Sequence, residues 1–293
     1  MIVYLLVVLL LAGTVAVRAL RPVSPAELER WLQAHGLDVS AEGRAAVARY
    51  LCRSRRWRAA GFLLPFLVGS TASWAWALFY AQADPPEPWR TLANPGFWVA
   101  GYLLGAVLAE LSRPRPFPAA GGRSAALLPR QPRQYLPGWV LPTCWALATG
   151  AVLAALAPRW LPVQDTVTPD RSGLVLTAAA LGMTVLLQLA TRAVLGRRQP
   201  YASAEQLAVD DALRSACLHR VAGAGLAFVL LVLAGRVWNL AVVVDLRPLR
   251  SALPVVTLVC LAAARAAFVG LPAKRWQVPR TPASSPTTGA GPA

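Results

Sequence analysis

The chain has 293 residues, of which 56% are hydrophobic and only 14% charged, yet it carries a formal net charge of +16. So much apolar surface, gathered in long blocks, is more than a soluble domain of this size buries, and it sets a soluble fold aside in favour of a bilayer protein. The basic excess lies between the apolar blocks and in no nucleic-acid-binding motif, so it reads as membrane topology and no nucleic-acid partner is expected.

Residues 2–17, IVYLLVVLLLAGTVAV, form the first apolar block, long enough to span a bilayer once its flanks are included. No basic residue precedes it, whereas arginines from Arg18 to Arg58 follow it. That polarity is wrong for a cleaved secretory signal, so the expectation is a retained span over 1–20 with its N-terminus outside. Residues 21–58 read as a basic helical hairpin. Ser24 to Glu27 is a capping box with Pro25 at the first helical position, and Leu28, Trp31 and Leu32 recur at helical spacing up to Gly36. After a turn over 37–40, a second helix leads from Ala41 into the arginine cluster at 53–58. Such arginines suit anionic head groups, each contributing about 1 kcal/mol near the surface.

A second span is expected over about 60–80, and a third over 96–116, GFWVAGYLLGAVLAELSRPRP. The other spans are expected to gather around the third. Gly101 and Gly105 form a G-x-x-x-G face on which another backbone can approach closely, and Glu110 is the one carboxylate inside any long apolar run of the sequence. The fourth, fifth, sixth and seventh spans fall at about 138–157, 172–195, 221–244 and 251–270. Residues 199–220 form a polar amphipathic segment in which Asp210 and Arg214 stand four apart, the spacing of a surface ion pair worth roughly 0.2–0.5 kcal/mol. The tail from 271 to 293 has the composition of a disordered end.

Charge distribution then orients the spans. Arg90, Arg159, Arg171, Arg247 and Arg250 fall on outer loops, where Asp84, Glu87, Asp165, Asp170 and Asp245 balance them; Arg236 and Arg265 fall within spans, and the remaining basic residues lie on inner segments. The expected fold is all-α and polytopic, with seven transmembrane helices, the N-terminus out and the C-terminus in. It comprises a first span at 1–20, a cytoplasmic hairpin at 21–58, a six-span domain of three hairpins at 59–270, and a cytoplasmic tail. The hairpins end in similar basic exits, LSRPRP, LGRRQP and LPAKRW, a weak periodicity that fits either a threefold duplication or, more simply, the arginines that any inward-facing hairpin end carries.

The sequence carries few residues in chemically diagnostic patterns. Cys52, Cys144, Cys217 and Cys260 are isolated, His35 and His219 have no ligand-spaced partner, and no nucleotide, hydrolase or metalloprotease motif occurs, so no metal or cofactor is expected. Asp210-Asp211 lacks the second acidic motif a magnesium-diphosphate site needs. The candidates are therefore polar residues in apolar surroundings: Glu110, Arg192, Arg265 and Arg236. Of these, Glu110 is expected at the depth of Arg192 and Arg265, and Arg236 in the outer half of its span. The arginine bias, the RYLCRSRRWR entry and the GYLLGAVLAEL span resemble multi-pass membrane proteins of GC-rich bacteria. The resemblance implies a plasma-membrane location and brings no activity with it. Three classes follow: a membrane subunit or transport-related component assembled with a protein partner or as a homo-oligomer, an anchor presenting cytoplasmic helices to a soluble partner, and, last, a lipid-active enzyme.

Overall fold

The computed structural model describes residues 2–79, 95–112, 131–162, 171–196 and 204–273, and these are all-helical. In chain order the helices are α1 (Ile2–Leu20), α2 (Pro25–His35), α3 (Ala41–Phe79), α4 (Pro95–Leu111), α5 (Val140–Leu156), α6 (Arg171–Leu195), α7 (Ala204–Val243) and α8 (Arg247–Ala273). Four stretches are long and apolar enough to cross a membrane: Val140–Arg159, Gly173–Leu195, Glu205–Val243 and Pro248–Leu271. Leu9–Leu20 and Phe97–Ala109 are apolar but shorter.

The local signals for α2 act as their chemistry dictates. Ser24 Oγ accepts a hydrogen bond from the Glu27 amide at 3.2 Å, and Pro25 opens the helix where no amide donor is needed. At the other end Gly36 takes the left-handed conformation (φ 62°, ψ 34°), and the amides of Gly36 and Leu37 close on the carbonyls of Gln33 and Leu32.

Two helices run through boundaries that the sequence places between elements. The hairpin's second helix and the second span are one 39-residue helix, α3, and the amphipathic segment and the sixth span are one 40-residue helix, α7. Nothing in Arg58-Ala59-Ala60 or Leu218-His219-Arg220 breaks a helix; hydropathy changes there while backbone propensity does not. Each helix is about 60 Å long at 1.5 Å per residue, roughly twice a bilayer core of ~30 Å, so one half lies in the bundle and the other projects from it.

The projecting halves make a cap. Trp31 and Leu32 of α2, Val47, Tyr50 and Leu51 of α3, and Val209, Ala212 and Leu213 of α7 share one buried cluster. In the bundle, α7 is the most enclosed of the four long apolar helices: 61% of its apolar window is buried, against 22–33% for the other three. The run Ala222-Gly223-Ala224-Gly225 is small on every face, so neighbours approach from all sides. The helices around α7 bury narrow seams. In α6 these are Gly173, Thr177, Ala180, Thr184, Leu187, Thr191 and Val194, and in α8 Thr257, Cys260, Ala264, Ala267 and Leu271. Alternating steps of three and four are the heptad pattern of left-handed packing, with the remaining faces left outward. The α6 threonines return their hydroxyls to the i−4 carbonyls at 2.8–2.9 Å, which satisfies them inside an apolar seam.

Candidate functional site at the cap and bundle junction

Where α7 leaves the cap, its polar face is buried. Asp210 and Arg214 are 6% and 3% exposed, with Arg214 Nε 2.7 Å from Asp210 Oδ2. The surface pair expected from their spacing is thus a buried one, with the end of α6 packed against it. Arg214 also donates from Nη1 to the Val194 carbonyl at 2.9 Å, placing a cation on the C-terminal end of α6. Next along α7, Asp211 accepts from the Tyr135 hydroxyl at 3.0 Å. Both carboxylates of the Asp210-Asp211 pair are thus engaged by protein groups. Glu205, in the first turn of α7, accepts from both the amide and the hydroxyl of Ser40 at 2.8 Å and so completes the N-terminus of α3.

His35 ends α2 beneath this face. Its Nδ1 bonds the Trp31 carbonyl at 2.8 Å, and its ring stacks on Trp31 with centroids 4.0 Å apart. Burial holds its pKa below the ordinary 6.5, the Trp31 carbonyl opposes that, and the nearby Arg220 and His219 on α7 add to the lowering. His219 is itself buried and bonds the Ser215 carbonyl through Nδ1 at 2.9 Å.

The glycine pair of α4 meets α3. A Cβ at Gly101 would stand 2.1 Å from the Gly61 carbonyl oxygen, one at Gly105 2.2 Å from that of Trp57, and one at Gly61 2.2 Å from that of Gly101. The hydrogen occupying each Cβ position therefore points at a carbonyl of the facing helix, the arrangement of Cα–H···O contacts. Pro65 lies inside α3 and has no amide to give the Gly61 carbonyl four residues back, which frees that oxygen for Gly101. Alongside, Arg58 donates to the Tyr102 hydroxyl at 2.9 Å, and Arg53 reaches the Ser112 carbonyl at the end of α4 at 2.5 Å. Gly61 is the residue missing from the sequence reading; the signal was there as a glycine four residues before a proline, opposite a G-x-x-x-G face.

Of the polar candidates in apolar surroundings, Arg192, Arg265 and Arg236 have described side chains. The Glu110 side chain lies outside the described residues, as do the acids at 165 and 170. Arg192 and Arg265 are exposed, while Arg236 is buried at 8% and engaged. Tyr102 of α4 touches Phe268 of the parallel α8, with ring centroids 5.8 Å apart. α8 continues to Ala273, past the expected end at 270. Among the described residues no group of three His, Cys, Asp or Glu stands close enough to hold a metal ion.

Fold and junction together define the class: among the described residues, an all-helical protein with four helices long and apolar enough to cross a membrane and a small helical cap continuous with two of its long helices. No protein-family model, curated protein or solved structure matches the chain.

Proposed function

We propose that the chain is a multi-pass subunit of a bacterial plasma membrane that works assembled with a partner, with its cap as the contact through which the partner acts on the bundle. In this reading seven helices span the membrane, the N-terminus is outside, and the cap and C-terminus face the cytoplasm. The observation that carries it is the continuity of α3 and α7 from cap into bundle. A displacement imposed on either projecting half is delivered to the bundle core through an unbroken helix, with no linker to absorb it.

The anchor reading is weaker, because α2, α3 and α7 bury their apolar faces in one another and so do not offer them to a partner. A partner would meet the charged outer surface instead. The enzyme reading is weaker still, since Asp210 and Asp211 are committed to Arg214 and Tyr135. The test is purification of the tagged full-length chain from a mild detergent extract of its native cells. Co-purification of a nucleotide-hydrolysing subunit, or a stable homo-oligomer, supports the subunit reading. A soluble regulator bound to the cap alone moves the assignment to the anchor, and a monomer without partners overturns both.

A further inference from the structure

The end of α1 carries a basic feature separate from the junction. Arg18 lies in the last turn of α1 and Arg21 just beyond it, and both are exposed. Together with Pro22, Ser24, Glu27 and Arg55 they line a cleft of about 500 Å³ between α1, the start of α2 and α3. Arg55 is the structural member: it pairs with Glu27 Oε1 at 2.5 Å and approaches the carbonyls of Arg18 and Arg21 at 3.4 Å. Its charge is offset by Glu27, whereas neither Arg18 nor Arg21 has an acidic partner among the described residues.

The cleft thus offers two uncompensated guanidinium groups, and a guanidinium presents a planar fork of donors that matches the oxygens of a phosphate. Its surroundings are apolar on one side. Leu10 and Val17 are 73% and 67% exposed, and their spacing of seven, then four to Arg21, puts all three on one face of α1. The Arg21 amide still bonds the Val17 carbonyl at 3.0 Å, so the helical register carries through to the arginine. A soluble anion would satisfy the arginines and leave that face wet; a phosphate joined to acyl chains satisfies both.

We propose that this cleft binds the phosphate of an anionic phospholipid whose chains lie along the Leu10–Val17 face of α1. The proposal rests on the membrane reading of α1. A requirement for detergent in extraction tests that reading by itself, so failure of the extracted protein to bind lipid counts against the cleft alone.

The experiment uses the full-length chain, delipidated in a neutral detergent and titrated with phosphatidylglycerol while thermal unfolding is followed. Phosphatidylglycerol is expected to raise Tm saturably, and the Arg18→Gln/Arg21→Gln variant to need roughly tenfold more lipid for the same shift. Arg30→Gln/Arg49→Gln, which removes the same charge elsewhere in the cap, is expected to behave as wild type. Phosphatidylcholine, glycerol phosphate and inorganic phosphate are the comparison ligands, expected to give little shift. An equal response to inorganic phosphate reassigns the cleft to a soluble anion and overturns the lipid proposal, as does an equal loss in both variants. Should the first variant not fold, the wild-type chain supplies the answer through phenylglyoxal modification read by mass spectrometry. Phosphatidylglycerol is expected to protect Arg18 and Arg21 and to leave Arg30 reactive; absence of that protection overturns the proposal.

Discussion

Asp210 and Arg214 illustrate how burial changes the meaning of a spacing. Four residues apart on an exposed helix they would contribute little, but at 6% and 3% exposure neither charge has water to fall back on. Asp210→Asn removes the carboxylate facing a buried guanidinium, and it is expected to cost about 3–5 kcal/mol in detergent-solubilised unfolding. Replacing both, as Asp210→Leu/Arg214→Met, is expected to recover most of that loss, since the desolvation cost leaves with the pair. His35 gives a pH dependence of definite sign. Its folded pKa lies below the ordinary 6.5, so as pH falls the unfolded chain takes up the proton first. The contribution of neutral His35 is complete above about 6.5 and is lost progressively below it, down to the folded value. Unfolding free energies at pH 7.5 and 5.5 are expected to differ more for the wild type than for His35→Gln, and equal differences would show that the histidine is not held neutral.

At the scale of elements, the α3–α4 contact makes a demand on three glycines that others in the chain escape. Leucine is not needed to break it. Alanine at Gly61, Gly101 or Gly105 puts a methyl group 2.1–2.2 Å from a backbone carbonyl, which no side-chain rotation relieves. Each substitution is expected to cost about 1–3 kcal/mol by forcing the helices apart. Alanine at Gly182 or Gly270, where nothing stands within 4 Å, is expected to be neutral or to stabilise by up to about 1 kcal/mol through helix propensity, with thermal unfolding of the set as the check. These glycines also mark how far sequence reading reaches. Gly101 and Gly105 are legible because a G-x-x-x-G face is local, and Ser24 and Gly36 because caps are local. Gly61 matters only through a carbonyl that Pro65 releases and α4 receives, a pairing across helices that one-dimensional spacing does not specify. The enclosure of α7 was equally hidden: its alternating small residues resemble any apolar span until other helices are laid against it.

For the whole molecule, membrane character was legible from composition, whereas the unity of the cap was not. Hydropathy divides α3 near residue 58 and α7 near 220, and each half alone reads as a separate element; only their shared cluster with α2 shows that the two polar halves fold as one body. That unity makes the proposed topology testable at a single thiol. Because α3 and α7 both enter the bundle from the cap, the proposed topology puts the cap wholly on one side of the membrane, and reversing it would reverse every proposed span. Cys52 is half-buried on the cap portion of α3, while Cys144, Cys217 and Cys260 are buried, so a membrane-impermeant maleimide reports on Cys52 above the others. The positive-inside distribution leads to the expectation that Cys52 is labelled only after cells are permeabilised. The opposite end supplies the complement. Trp160, 71% exposed just beyond α5, is expected in a Cys52→Ser/Trp160→Cys chain to be labelled in intact cells. Labelling of Cys52 without permeabilisation, together with protection at position 160, would put the cap outside and remove the cytoplasmic partner from the proposed function.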